Sequence, residues 1–136
     1  MIQIIAGKKG SGKTKRILDI ANEAAKDCRH DIVFIDDDTR YMYDLRHEVR
    51  FVNASEYGIS SDQMFMGLLC GIVSQNYDLG LICIDAFLKL LKADIGSSEW
   101  FFRQLKTMSE NHHVDFVISI SEDQEDLPAF LAPYII

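Results

Sequence analysis

Short apolar runs alternate with longer stretches of helical periodicity along the whole chain. Ile2–Ala6, Asp31–Asp36, Leu81–Asp85 and Val114–Ile120 are almost uninterrupted runs of aliphatic and β-branched residues, the texture of strands covered on both faces. Glu48–Asn53 alternates only weakly and reads as an edge strand. Lys13–Asp27 repeats Ile17, Leu18, Ala21, Ala24, Ala25 and Cys28 at helical spacing. Ser61 or Asp62 is placed to cap a helix running to about Gln75. A short helix is expected from about Ala86 to near Gly96. Another is expected after a cap at Ser97 or Ser98, with Phe101, Phe102, Leu105 and Met108 on its apolar face. Leu127–Ile136 reads as a short helix and a terminal strand. Proline occurs only at 128 and 133, and neither a linker nor an internal repeat interrupts the pattern, so residues 1–136 are expected to form one domain. Strands alternating with helices predict an α/β fold: a three-layer sandwich around a mostly parallel sheet of about five strands.

Composition narrows the partners. Fourteen basic against 21 acidic residues leave a net charge of −7. Such a chain is a poor general ligand for nucleic acid or an anionic membrane. The three cysteines (Cys28, Cys70 and Cys83) show no C-x-x-C and no zinc-site spacing, and fit reduced thiols in a cytosolic protein. The apolar stretch Met64–Val73 covers half a membrane span, and the run before Lys8-Lys9 is too short for a signal peptide. A soluble, cytoplasmic protein without a membrane partner is expected.

A basic cluster nevertheless stands near the N-terminus, and it surrounds the strongest motif. Gly7-Lys8-Lys9-Gly10-Ser11-Gly12-Lys13-Thr14 fits G-x-x-x-x-G-K followed by Ser or Thr, between a predicted strand and a predicted helix. Glycines let backbone N–H groups wrap a phosphate, and the helix N-terminus points at the anion. Lys13 supplies a charge for the β- and γ-phosphates, and the Thr14 hydroxyl is a ligand for Mg²⁺. Gly7, Lys9, Gly10, Ser11, Gly12, Lys13, Thr14 and Lys15 are the candidate nucleotide-binding residues.

A second acidic element completes the pattern. Asp85 ends the apolar run Leu81–Ile84, where a carboxylate holds Mg²⁺ beside a phosphate loop; as an alternative it caps the helix that follows. The next residue is Ala86, so a group that orients water must come from elsewhere. Asp36, Asp37 and Asp38 end the second strand, at the same sheet edge if the strands are parallel. Asp37 and Asp38 join Lys13 as the catalytic candidates, against a plain solvated turn. Ser119 or Ser121 ends the fourth strand, as a contact for the γ-phosphate or as an ordinary polar strand end. The stretch with Arg40, Tyr41, Tyr43, Arg46, His47 and Arg50 either covers a nucleotide or forms a charged hairpin against Asp36–Asp38. Gly67 and Gly71 are expected to seat their helix on the sheet, and His112-His113 to complement a helix dipole.

On Gly7, Gly10, Gly12, Lys13 and Thr14, with Asp85, the chain resembles the P-loop NTPase superfamily. Together with Phe34–Asp38 and Asn53–Tyr57, it also resembles short bacterial stand-alone ATP-binding P-loop proteins, some labelled for twitching motility. The resemblance implies a P-loop NTPase-like sandwich with ATP or another nucleoside triphosphate and Mg²⁺ as cofactors. The large hexameric motor behind that label has an extra domain for which this chain offers no room, so its function is not carried over. Three activities remain: a slow NTP hydrolase or switch, a small-molecule phosphotransferase, and a nucleotide sensor that binds without turnover. The first is preferred. ATP is favoured over GTP because no Asn/Thr-Lys-x-Asp guanine pattern occurs. A protein partner or a homo-oligomer stays open.

Overall fold

The computed structural model describes residues 1–27 and 29–136. Cys28 lies outside the described residues. Five strands form one sheet: β1 (Ile2–Ala6), β2 (Asp31–Asp36), β3 (Val49–Asn53), β4 (Leu79–Ile84) and β5 (Asp115–Ile120). Their spatial order is β1-β5-β4-β2-β3, and every pair is parallel. All carboxyl ends therefore share one edge of the sheet, where ligands of parallel α/β folds bind. The weakly alternating segment is indeed an edge strand, β3.

Helices cover the faces unequally. On one face lies α1 (Lys13–Lys26), which buries Ile17, Leu18, Ala21 and Ala25 against Ile5, Phe34, Cys83 and Val117. The crossover from β2 to β3 has only a 3₁₀ turn, Met42–Asp44, and packs Tyr41 and Leu45 beside α1. On the other face lie α2 (Asp62–Ser74), α3 (Phe87–Leu91) and α4 (Glu99–His112). That face holds an aromatic cluster in which Phe101 lies 5.5 Å from Phe65, 5.3 Å from Phe87 and 5.8 Å from Phe102, ring centre to ring centre. No helix among the described residues is long and apolar enough to cross a membrane. Cys70 and Cys83 are free thiols, and burial, with the charge of Asp85 second, pushes the Cys83 thiol up to about 12.

Several local expectations are corrected. The helix after Asp85 stops at Leu91, because Lys92 turns left-handed with φ 55°; a separate 3₁₀ turn follows at Ile95–Ser97. Ser98 occupies the cap position of α4, but its hydroxyl donates back to the Ile95 carbonyl and caps nothing. The C-terminal segment is 3₁₀ at Ala129–Tyr134 around Pro133. In place of a strand it makes a single bridge, Ile135 to Ile4. Gly67 and Gly71 face outward on α2, so they do not seat the helix on the sheet. Because β2 and β3 are parallel, the basic stretch between them is a crossover and not a hairpin.

Candidate functional site

The loop from Gly7 to Gly12 leaves the carboxyl end of β1 and delivers the chain into α1. Gly10 and Gly12 have φ of 86° and 88°. This left-handed region costs a residue with a Cβ roughly 1–2 kcal/mol. A Cβ at either position would meet nothing within 4 Å, so backbone conformation rather than crowding calls for glycine. Gly12 is also the cap residue of α1, which has no side-chain cap and no acidic residue in its first turn. The first N–H groups of the helix and the positive end of its dipole are left for an anion. Lys13 is only 9% exposed, and its Nζ donates to the Lys8 carbonyl at 2.8 Å. Burial lowers its pKa, with the charge of Asp85 opposing the shift.

Asp85 stands at the end of β4, buried, and anchored by its own N–H to the Ile35 carbonyl at 2.9 Å. Thr14 Oγ1 donates to its Oδ2 at 3.0 Å, and Ser119 Oγ, from β5, donates to its Oδ1. The carboxylate is thus committed to the phosphate-loop side. It does not cap α3, whose cap position is Ala86 and has no side-chain bond. Ala86 itself is left-handed, at φ 58°. A hydroxyl and a carboxylate so close form a hard oxygen donor pair of the kind Mg²⁺ takes. The residues therefore fit that ion, with Thr14 and Asp85 to hold it directly or through its water.

Strand β2 brings a second carboxylate alongside. Ile35 pairs with Ile84, so Asp36 and Asp85 follow at adjacent strand ends. Asp36 is 3% exposed and accepts the N–H of Asp37 at 2.7 Å. Burial foremost, then its hydrogen bonding to Asp37 and the charges of Asp85 and Asp37, raise it to about 8, so it holds its proton at neutral pH. Asp37 and Asp38 lie on the rim and face cations: Lys89 is 3.9 Å from Asp37 and Arg40 is 3.8 Å from Asp38. Arg46 pairs instead with Glu48.

These groups line one cavity of about 470 Å³ at the carboxyl edge of the sheet. It brings together Lys9, Gly10, Gly12, Lys13, Thr14 and Lys15 with Asp37, Asp38 and Asp85. Gly7 and Ser11 shape the loop without lining the cavity, through Gly7 N–H to the Ile120 carbonyl and Ser11 N–H to that of Lys8. Ser121 lines the rim, whereas Ser119 is buried on Asp85. Two features stand out only in three dimensions. Asp36 is the most perturbed of the three acids because of its register beside Asp85. Lys89 reaches the cavity because it lies in the helix just after Asp85. The cavity thus gathers five cations (Lys9, Lys13, Lys15, Arg40 and Lys89) and four carboxyl groups, of which that of Asp36 keeps its proton. Such a site can neutralise a polyanion and hold a divalent cation at once.

The chain is similar in structure to the flagellar accessory protein FlaH from Methanocaldococcus jannaschii, with a TM-score of 0.61 and 12% sequence identity. The match covers 97% of this chain and 65% of that one, so the chain spans somewhat under two thirds of FlaH. At that identity the likeness concerns the fold, which is a P-loop NTPase-like α/β sandwich. No protein-family model and no curated protein sequence matches the chain.

Proposed function

We propose that this protein binds a nucleoside triphosphate, ATP by preference, together with Mg²⁺, and hydrolyses it slowly as a small NTPase or nucleotide switch. The observation that carries the reading is the bare N-terminus of α1. It is an uncapped helix end entered through two left-handed glycines, with buried Lys13 above it and the Thr14–Asp85 pair beside it. Gly10, Gly12 and the N–H groups through Lys15 hold the phosphates, and Lys13 neutralises the β- and γ-oxygens. Bound Mg²⁺ supplies charge neutralisation on the phosphates. Thr14 and Asp85 position that charge, and Ser119 holds Asp85 in place.

The slow rate rests on what surrounds the γ-phosphate position. Ala86 offers no carboxylate, Asp36 keeps its proton, and Asp37 and Asp38 each face a rim cation. None of these is an unencumbered general base, although Asp37 and Asp38 stay the catalytic candidates, with Asp36 added behind them. A second reading, phosphoryl transfer to an acceptor hydroxyl, is favoured by the position of this acidic run on the cavity.

The test is a thermal-shift series with ATP, GTP and ADP, each with and without Mg²⁺, joined to a phosphate-release assay. A Mg²⁺-dependent rise with ATP and turnover below about 0.1 per second are expected. No shift with any nucleotide would remove the reading. Rapid transfer to a small acceptor with little hydrolysis would install the second one. Binding with no turnover would leave a sensor.

A further inference from the structure

A second opening adjoins the phosphate cavity on the flank of α1. It is a groove of about 380 Å³ that shares Thr14, Lys15 and Tyr41 with the cavity and extends to Leu18, Asn22 and Asp44. Building on the phosphate-loop reading above, we infer that this groove is the nucleoside subsite: the base lies against Tyr41 and Leu18, and its amine donates to Asp44.

Direction along the site sets the occupant. Lys13 and Asp85 mark the β- and γ-phosphate end of a bound triphosphate. The groove starts at Thr14 and Lys15 and leads away from Asp85 along α1. Thr14, Leu18 and Asn22 are four residues apart, on one face of the helix, so the far end lies about 12 Å from Thr14. That span suits the reach from the phosphates of a nucleotide to its base. An acceptor for phosphoryl transfer would instead have to approach the opposite end, by Asp36 and Lys89.

The walls set one aliphatic and one aromatic side chain, Leu18 and Tyr41, among polar groups that can fix a base's orientation. Tyr41 is half-buried, with the Arg40 guanidinium 5.8 Å from its ring centre. The far wall is held in place by one side chain. Asn22 Nδ2 donates to the Asp44 carbonyl at 3.0 Å, and Asn22 Oδ1 accepts the N–H of Arg46 at 2.8 Å. That amide is therefore committed at both ends and reads no ligand. Asp19 is committed as well, to Lys15 at 2.9 Å. Among the described residues, Asp44 is the one carboxylate of the groove in no ion pair, and it suits an amine or hydroxyl donor.

The experiment titrates wild type, Tyr41→Ala and Asp44→Ala with two probes by calorimetry: Mg²⁺-ATP and Mg²⁺-tripolyphosphate. Tripolyphosphate carries the anion without the nucleoside, so it also reports whether each variant is folded. Wild type is expected to bind ATP more tightly than tripolyphosphate. Tyr41→Ala should weaken ATP by about tenfold and Asp44→Ala by about threefold, both leaving tripolyphosphate within about twofold. Equal wild-type affinity for the two probes, ATP affinity unchanged in both variants, or parallel loss of both probes would each overturn the subsite while leaving the phosphate reading intact. Failure of wild type to bind either probe would overturn that reading and the subsite with it.

Discussion

Two helices of this protein begin in opposite ways. At the start of α2, Ser61 Oγ accepts the N–H of Met64 at 3.1 Å, and Asp62 sits in the first turn against the dipole. At the start of α1 there is no side-chain cap and no acid, and the nearest side chain of note is a lysine. The first end is satisfied by its own sequence, and the second is left wanting a negative charge. The stability of a fold and the appetite of a site are thus written in the same groups, with opposite settings. Around α1 the contrast deepens, since a cation and two carboxylates (Lys13, Asp36 and Asp85) are buried at one sheet edge. Groups so placed are costly to bury, and the bonds of Lys13 to Lys8, of Thr14 and Ser119 to Asp85 and of Asp37 to Asp36 offset that cost.

The largest effect is expected from Lys13→Ala. Loss of this buried ammonium should lower Mg²⁺-ATP affinity at least 100-fold, about 2.7 kcal/mol, while the urea midpoint of the free protein hardly moves. Undiminished affinity would erase the distinction between the two helix ends. Next in size is Asp36. Its folded-state pKa is raised to about 8, above the usual carboxylate value. Between about pH 4 and pH 8 the folded state therefore holds more protons than the unfolded one, and stability falls as pH rises through that window. Asp36→Asn should flatten the decline and gain on the order of 2 kcal/mol at pH 8, read from denaturation curves at several pH values. A wild-type profile flat over that window would show that Asp36 is not strained.

Ser61→Ala acts at the capped helix end. It should cost about 1 kcal/mol of stability and leave ATP affinity unchanged, because the cap serves only α2. Smallest is His113→Gly, at the end of α4, where φ is 55°. Glycine accepts this left-handed position more readily and should add about half a kcal/mol, a rise of a degree or two in Tm with no change in binding.

The strands were legible because a parallel sheet buried on both faces forces continuous apolar runs such as Leu81–Ile84, and because Gly10, Gly12, Lys13 and Thr14 carry a spacing tied to phosphate. The place of Asp85 at the carboxyl end of its strand was legible from the apolar run Leu81–Ile84 before it. What escaped depends on contacts between distant segments. Asp36 is perturbed only because β2 lies beside β4 in a register that sets Asp36 next to Asp85. The outward turn of Gly67 and Gly71 could not be read because α2 is apolar on much of its circumference, with Leu68 and Ile72 half-buried next to Leu69 and Val73. The early stop of α3 follows from a left-handed Lys92, a conformation that its residue type does not announce. The groove beside α1 is framed by Asn22 reaching across to Asp44 and Arg46, a pairing with no periodic signature.

Strand β1, which launches the phosphate loop, runs in register with β5, Ile2 opposite Phe116 through Ala6 opposite Ile120. On a ribosome the loop emerges well before β5, the strand beside which β1 lies. At roughly 5–20 residues per second, some 5–20 seconds separate the synthesis of Thr14 from that of Ile120. During that interval β1 has no β5 to lie against, so the loop and the start of α1 have no assembled sheet edge to rest on. The geometry at the start of α1 therefore waits on a strand pairing distant in sequence, however early its own residues are made.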